Sequence, residues 1–167
     1  VRFPPLPSRR PPFPVGAGER LLAWAALRTP PAGGAALVGG SRDALYVPDR
    51  IPWEQVASAD WDAETDTLRV VEVGRFGEPA PIHVLVLDDA GRLLQLVRER
   101  VTASIAVQRH VPVAGRRAVR ILGRRPPGTH AGLAWFVEYD DGLDPADPAV
   151  DAVVQEALAL ARADVGE

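Results

Sequence analysis

Four carboxylates alternate along one short stretch, Asp60, Asp62, Glu64 and Asp66, close enough in sequence to suggest a cation site. A calcium loop of the EF-hand kind also needs glycine at its sixth position and a bidentate glutamate at its twelfth. Counted from Asp60, those places hold Thr65 and Val71. The run is therefore expected to be a solvated polar turn, with no metal.

The histidines, His83, His110 and His130, show no helical or zinc-ligand spacing, and the serines at 8, 41, 58 and 104 lie in no nucleophile elbow. The glycine pairs do not form a phosphate-binding strand, loop and helix. Cysteine is absent, which excludes thiol catalysis, iron–sulfur ligation and thiolate zinc sites. The expectation is a chain without enzymatic activity and without a cofactor. An active site around His83 or His110 would need a carboxylate or serine within hydrogen-bonding reach of the ring.

Charge is the stronger signal. Between Arg92 and Arg125 there are nine arginines against one acid, Glu99, and between Glu138 and Glu167 nine acids against one base, Arg162. The two blocks complement each other within one molecule or between two. Exposed pairs of this kind contribute only about 0–1 kcal/mol each, so they steer docking more than they hold a fold. Arg109, Arg116, Arg117, Arg120, Arg124 and Arg125 are the candidate contacts for a protein partner or a second copy. Arginines at 116–125 beside Trp135 and Phe136 also suit phosphate contact with base stacking, but the pI of 5.6 and the acidic block oppose nucleic-acid binding.

The 167 residues suit one ordinary core, with 47% hydrophobic residues and no need of staples. All 19 basic residues are arginine, and lysine, asparagine and methionine are missing, a pattern that a GC-rich bacterial genome explains. No apolar run approaches the roughly 20 residues of a membrane span, and prolines interrupt the N-terminus before a signal-peptide core. A soluble, cytoplasmic protein with no membrane partner is expected.

The elements that would carry these residues read as follows. Residues 1–19 hold six prolines and form an extended arm, with Phe3, Leu6 and Phe13 as its anchors on an apolar groove. Strands are expected at 21–27, with Trp24 inside, at 35–38 and at 42–47, followed by a corner between Pro48 and Pro52. A turn at 53–55 leads to a strand in which Ala57, Ala59 and Trp61 share a face. Residues 62–66 make a hairpin turn, and 67–73 return as a strand with a bulge near Val70, where Leu68 and Val70 give way to Val71 and Val73. A strand at 81–87 is apolar except at His83. Leu93, Val97, Val101 and Ile105 then repeat every four residues, giving a helix over 92–105 capped by the aspartates at 88–89. Further on, 116–123 and 133–139 pair as a hairpin. Asp147 caps a last helix, Pro148 takes its first position, and its apolar stripe runs through 150, 153, 154, 157, 158 and 161.

The segment Pro52-Trp53-Glu54-Gln55-Val56 and the strands-then-helix order over residues 20–106 resemble the bacterial form of the pleckstrin-homology-like (PH-like) fold. Gln108-Arg109-His110-Val111-Pro112 and Gly142-Leu143-Asp144-Pro145 are similar to uncharacterised actinobacterial proteins of that type. The resemblance implies an α+β chain: a strongly bent antiparallel sheet or partly open barrel capped by a helix, with a C-terminal hairpin and helix over 107–167. Six strands are read where the full fold has seven. The fold's phosphoinositide site uses a basic loop between its first strands, and residues 29–34 carry no base, which argues against headgroup binding.

The expected function is a non-enzymatic protein-interaction module that binds a protein or itself. The alternatives are a carrier of a small apolar ligand, held between sheet and helix, and nucleic-acid binding through the hairpin at 116–125. Trp53 and Trp61 are the expected core anchors.

Overall fold

In the computed structural model the described residues are 13–30, 36–74 and 79–167. The expected anchors Phe3 and Leu6, and most of the loop at 29–34, lie outside them. The described chain is α+β, with three antiparallel sheets and two helices.

The first sheet has the order β1 (Ala23–Ala26), β2 (Leu37–Gly40), β3 (Ala44–Val47), β4 (Asp49–Pro52). Here β4 replaces the expected corner. Val47 pairs with Asp49 across Pro48, so proline sits in a turn while Ile51 returns to the core. Trp24 is 46% exposed, because alternation along β1 turns Ala23 and Ala25 inward instead. Gly40 lies under the Trp53 ring, where a β-carbon would stand 3.1 Å from the indole and 2.7 Å from Leu96.

A 3-10 turn at Trp53–Gln55 passes the chain to the second sheet, of order β5 (Val56–Asp62), β6 (Thr67–Glu72), β7 (Ile82–Val86). The bulge is on β5, not at Val70. Val56 pairs with Glu72 and Ser58 with Val71, leaving Ala57 as the extra residue. Val56 and Ala59 therefore both face the core side, and Ala57 does not share the face of Ala59 and Trp61. On β6 the alternation is regular, with Leu68 and Val70 inward and Val71 and Val73 outward. The two sheets meet at an isolated bridge between Leu27 and Leu87 and do not close into a barrel. Arg28 N–H donates to Val86 O at 2.8 Å at the same corner.

Helix α1 (Gly91–Ser104) covers this pair of sheets with Leu93, Leu96 and Val97. Its expected aspartate cap is absent: the N-cap is Ala90, and Asp88 is drawn instead into an ion pair with Arg28 at 3.4 Å. The core holds Leu45, Val56, Leu68, Val70, Leu87 and Leu93 around Trp53, which is fully buried and donates from Nε1 to Ser41 O at 3.2 Å. Trp61 is only half-buried at the edge of this cluster, beside an open groove that it lines with Leu94 and Arg98 of α1.

The described end of the arm is docked. Phe13 meets the Tyr46 ring edge-on at 5.9 Å, and Glu19 accepts from Ser41 Oγ, from Tyr46 OH at 2.9 Å and from Arg50 Nε at 2.7 Å.

The helix α1 runs without a loop into β8 (Ile105–Ala114), which pairs with β9 (Arg117–Arg124), and β9 pairs with β10 (Ala134–Tyr139). The expected hairpin is thus part of a three-stranded sheet. Helix α2 (Pro148–Asp164) lies over β8 and β9, its Asp147 cap accepting from Ala149 N at 2.9 Å as the sequence suggested. Val119 and Ile121 face Val150, Val154, Ala157 and Ala161, and the opposite sheet face carries Arg120, Leu122 and Arg124. No described helix is long and apolar enough to cross a membrane.

Candidate functional site

The six candidate arginines do not form one face. Strand alternation sends Arg109 to the α2 side of the sheet, where it pairs with Asp164, and sends Arg120 and Arg124 to the other side. Arg117 donates from Nη1 to Gly142 O at 3.1 Å, and Arg120 pairs with Glu138 at 3.1 Å. Arg116 is exposed at the β8–β9 turn, and Arg125 is half-buried.

Arg124 is only 2% exposed, against the expectation of a surface contact. Its Nη1 donates to Val56 O at 2.9 Å and to Ser104 Oγ at 3.0 Å, and its Nη2 donates to Ala57 O at 2.9 Å. The bulge at Ala57 explains this geometry: it takes these carbonyls out of the regular ladder and offers them to one planar guanidinium. Burial lowers the Arg124 pKa below the ordinary arginine value, and the charge of Glu138 acts in the opposite direction. Arg124 therefore ties the third sheet to the second and to the end of α1.

Beside this tie lies a cleft of about 710 Å³ between the outward face of the second sheet and the third sheet. Val71, Val73 and Ala80 form one wall, and Leu122, Trp135 and Phe136 contribute to the other. Among the described residues its charged side chains are Glu138, Arg120 and Arg124, and Glu72 lies at its rim with the carboxylate turned to the opposite sheet face, toward His83. Glu72 Oε1 lies 2.7 Å from His83 Nε2, so the carboxylate that an active site around His83 would need is present, but no described hydroxyl bonds that ring. His110 and His130 are exposed and bond no described carboxylate.

The acidic run at 60–66 closes the β5–β6 turn. Asp62 accepts from Thr65 Oγ1 at 2.7 Å and from Glu64 N at 2.9 Å, which holds its carboxyl below the usual range. Asp66 takes a left-handed backbone with φ 52° and pairs with Arg28 at 2.8 Å. Among the described residues no group of three His, Asp or Glu side chains is arranged to hold a metal ion.

The outward face of β7 is the other distinctive surface. Ile82 is 51% and Val84 63% exposed, and they share that face with Val71, which lines the cleft. The sequence signal for it was the apolar run on both faces of 82–86, which reads as a buried strand until the neighbours are known.

Comparison with known proteins gave no match to any protein-family model, to any curated protein or to any solved structure.

Proposed function

We propose that this chain is a non-enzymatic, cytoplasmic protein-interaction module, with a PH-like body over residues 20–106 and an extension over 107–167 locked onto it. A four-stranded and a three-stranded antiparallel sheet followed by a helix support the PH-like reading, and β4 supplies the strand that the sequence count lacked. The observation that carries the interaction reading is the exposed apolar pair Ile82 and Val84, continuous with Val71 and the cleft. Contiguous apolar surface beside polar groups is what a partner buries.

A photo-crosslinking residue at position 84 tests this reading in the source cell, with position 63 on the exposed β5–β6 turn as the control. A discrete adduct at 84, absent at 63 and lost in Ile82→Asp, supports it. Equal or no adducts at both positions overturn it.

A carrier of a small apolar ligand has one observation in its favour, a cleft of about 370 Å³ at the seam of the first two sheets, lined by Leu37, Val47 and Leu85. The space between sheet and α1 that such a ligand was expected to use is filled by Trp53, Leu68 and Leu93. Nucleic-acid binding through 116–125 loses support from the burial of Arg124 and the pairing of Arg120.

A further inference from the structure

The outer edge of β10 has its own chemistry. Asp140 N donates to Ala118 O at 3.1 Å, which sets the phase of the β9–β10 ladder. In an antiparallel pair the residues alternate between facing the partner and facing away, so the backbone groups of Trp135, Val137 and Tyr139 point away from β9. Leu133 shares that phase, and its N–H is taken by the Glu167 carboxylate at 3.2 Å. Beyond it, the outward backbone groups of Trp135, Val137 and Tyr139 have no hydrogen-bond partner among the described residues.

This edge opens into the cleft. Every residue from 135 to 139 lines it, whereas β9 contributes only the alternate residues Arg120, Leu122 and Arg124. Side chains alternate across a strand, so a consecutive run of lining residues marks the strand's edge and not its face. The cleft therefore runs along unpaired backbone.

We propose that this edge binds an extended peptide as an added strand, with an apolar side chain against Phe136, Val71 and Val73 and, two residues along on the same face, a basic side chain beside Glu138. The inference rests on the reading of the chain as a protein-interaction module and names the chemistry of its partner. Main-chain hydrogen bonds supply affinity in this mode and alternate side chains supply specificity. The charge argument selects a base. Along this edge the carboxylates are Glu138, shared with Arg120, and Asp140 and Asp141 at the end of the strand, while both terminal nitrogens of Arg124 are turned to carbonyls and a hydroxyl and only its buried Nε is unbonded. A second copy fits less well. In a two-fold antiparallel pairing of this phase, Glu138 meets Phe136, Ala134 or itself, and never a base.

The test uses the full chain and a short blocked peptide of the repeat valine-threonine-lysine-threonine, which places valine and lysine on one face of a strand, its counterpart with glutamate for lysine, and the lysine peptide N-methylated at alternate residues. Amide hydrogen exchange is read by NMR. The lysine peptide should slow exchange at Val137 and Tyr139 by about tenfold or more. The glutamate peptide should bind about fivefold more weakly or worse, and N-methylation should abolish binding. Val137→Pro removes one outward N–H at an edge position that tolerates proline, and should abolish binding too. Glu138→Gln should keep binding but lose the preference for lysine over glutamate.

Absence of saturable binding up to about 1 mM overturns the inference, as does binding that Val137→Pro leaves unchanged. Should Val137→Pro fail to fold, the N-methylated peptide decides on the native chain. Protection that appears at Ile82–Val86 instead also overturns it, while leaving the interaction reading standing. Concentration-dependent protection of Val137 without peptide assigns the edge to a second copy and overturns the peptide.

Discussion

The Arg124 guanidinium donates to the carbonyl of Ala57, the bulged residue of β5, at 2.9 Å, and the same group also reaches Val56 O and Ser104 Oγ. The two bulge carbonyls depend on this one side chain, and the Ser104 hydroxyl, which also donates to Val101 O at 2.7 Å, loses one of its two bonds with it. Removing it leaves the buried Val56 carbonyl without a partner. Arg124→Ala should cost about 2–4 kcal/mol in a urea melt. Arg124→Lys should recover little, since an ammonium lacks the planar fork that spans neighbouring carbonyls. A melt of Arg124→Ala within about 0.5 kcal/mol of the native chain would show that the tie is not structural.

The two central tryptophans should separate in the same assay. Trp53 is fully buried and hydrogen-bonded, so Trp53→Ala should cost about 3–5 kcal/mol. Trp61 is half-buried beside an open groove, and Trp61→Ala should cost about 1–2 kcal/mol. Equal losses would contradict the assignment of Trp53 as the anchor.

Glu19 gives a pH signature. Burial raises its pKa, but the hydrogen bonds from Ser41, Arg50 and Tyr46 outweigh burial and hold it below the ordinary glutamate value. A carboxylate depressed in the folded state contributes stability that is present above its unfolded pKa, near 4.3, and is lost as pH falls through the folded pKa. Thermal melts from neutral to acidic pH should therefore show an acid-side loss that is reduced in Glu19→Gln. Parallel curves for the two proteins would refute the linkage.

Asp147 caps α2 through the Ala149 amide, and Asp147→Ala should cost about 1 kcal/mol. Asp147→Asn should keep most of the stability, because the amide oxygen accepts the same bond. Circular dichroism melts of both variants check the ranking.

Local rules were enough for several elements. The polar turn at 62–66, the 3-10 turn at Trp53 and the Asp147-Pro148 start of α2 all rest on residues within a few positions of one another. Turn chemistry, capping and helical spacing act at that range.

Other features were illegible for a physical reason. The break in apolar phase beside Val70 belongs to its partner, because one strand alone does not reveal which of the two carries the extra residue. Strand β8 is not among the elements expected from the sequence: Arg109 interrupts the apolar positions Val107, Val111 and Val113, and Pro112 is tolerated because β8 is an edge strand.

The composition and order of residues thus determined an α+β chain with buried Trp53, a capped final helix and opposed charge blocks. Only the tertiary structure decided where each charge went. Arg124 is interior because a bulge at Ala57, 67 residues away, presents carbonyls to it, and the cleft along β10 exists because that tie brings two sheets side by side. Burial and edge exposure are set by which distant strands meet, and no local pattern encodes that.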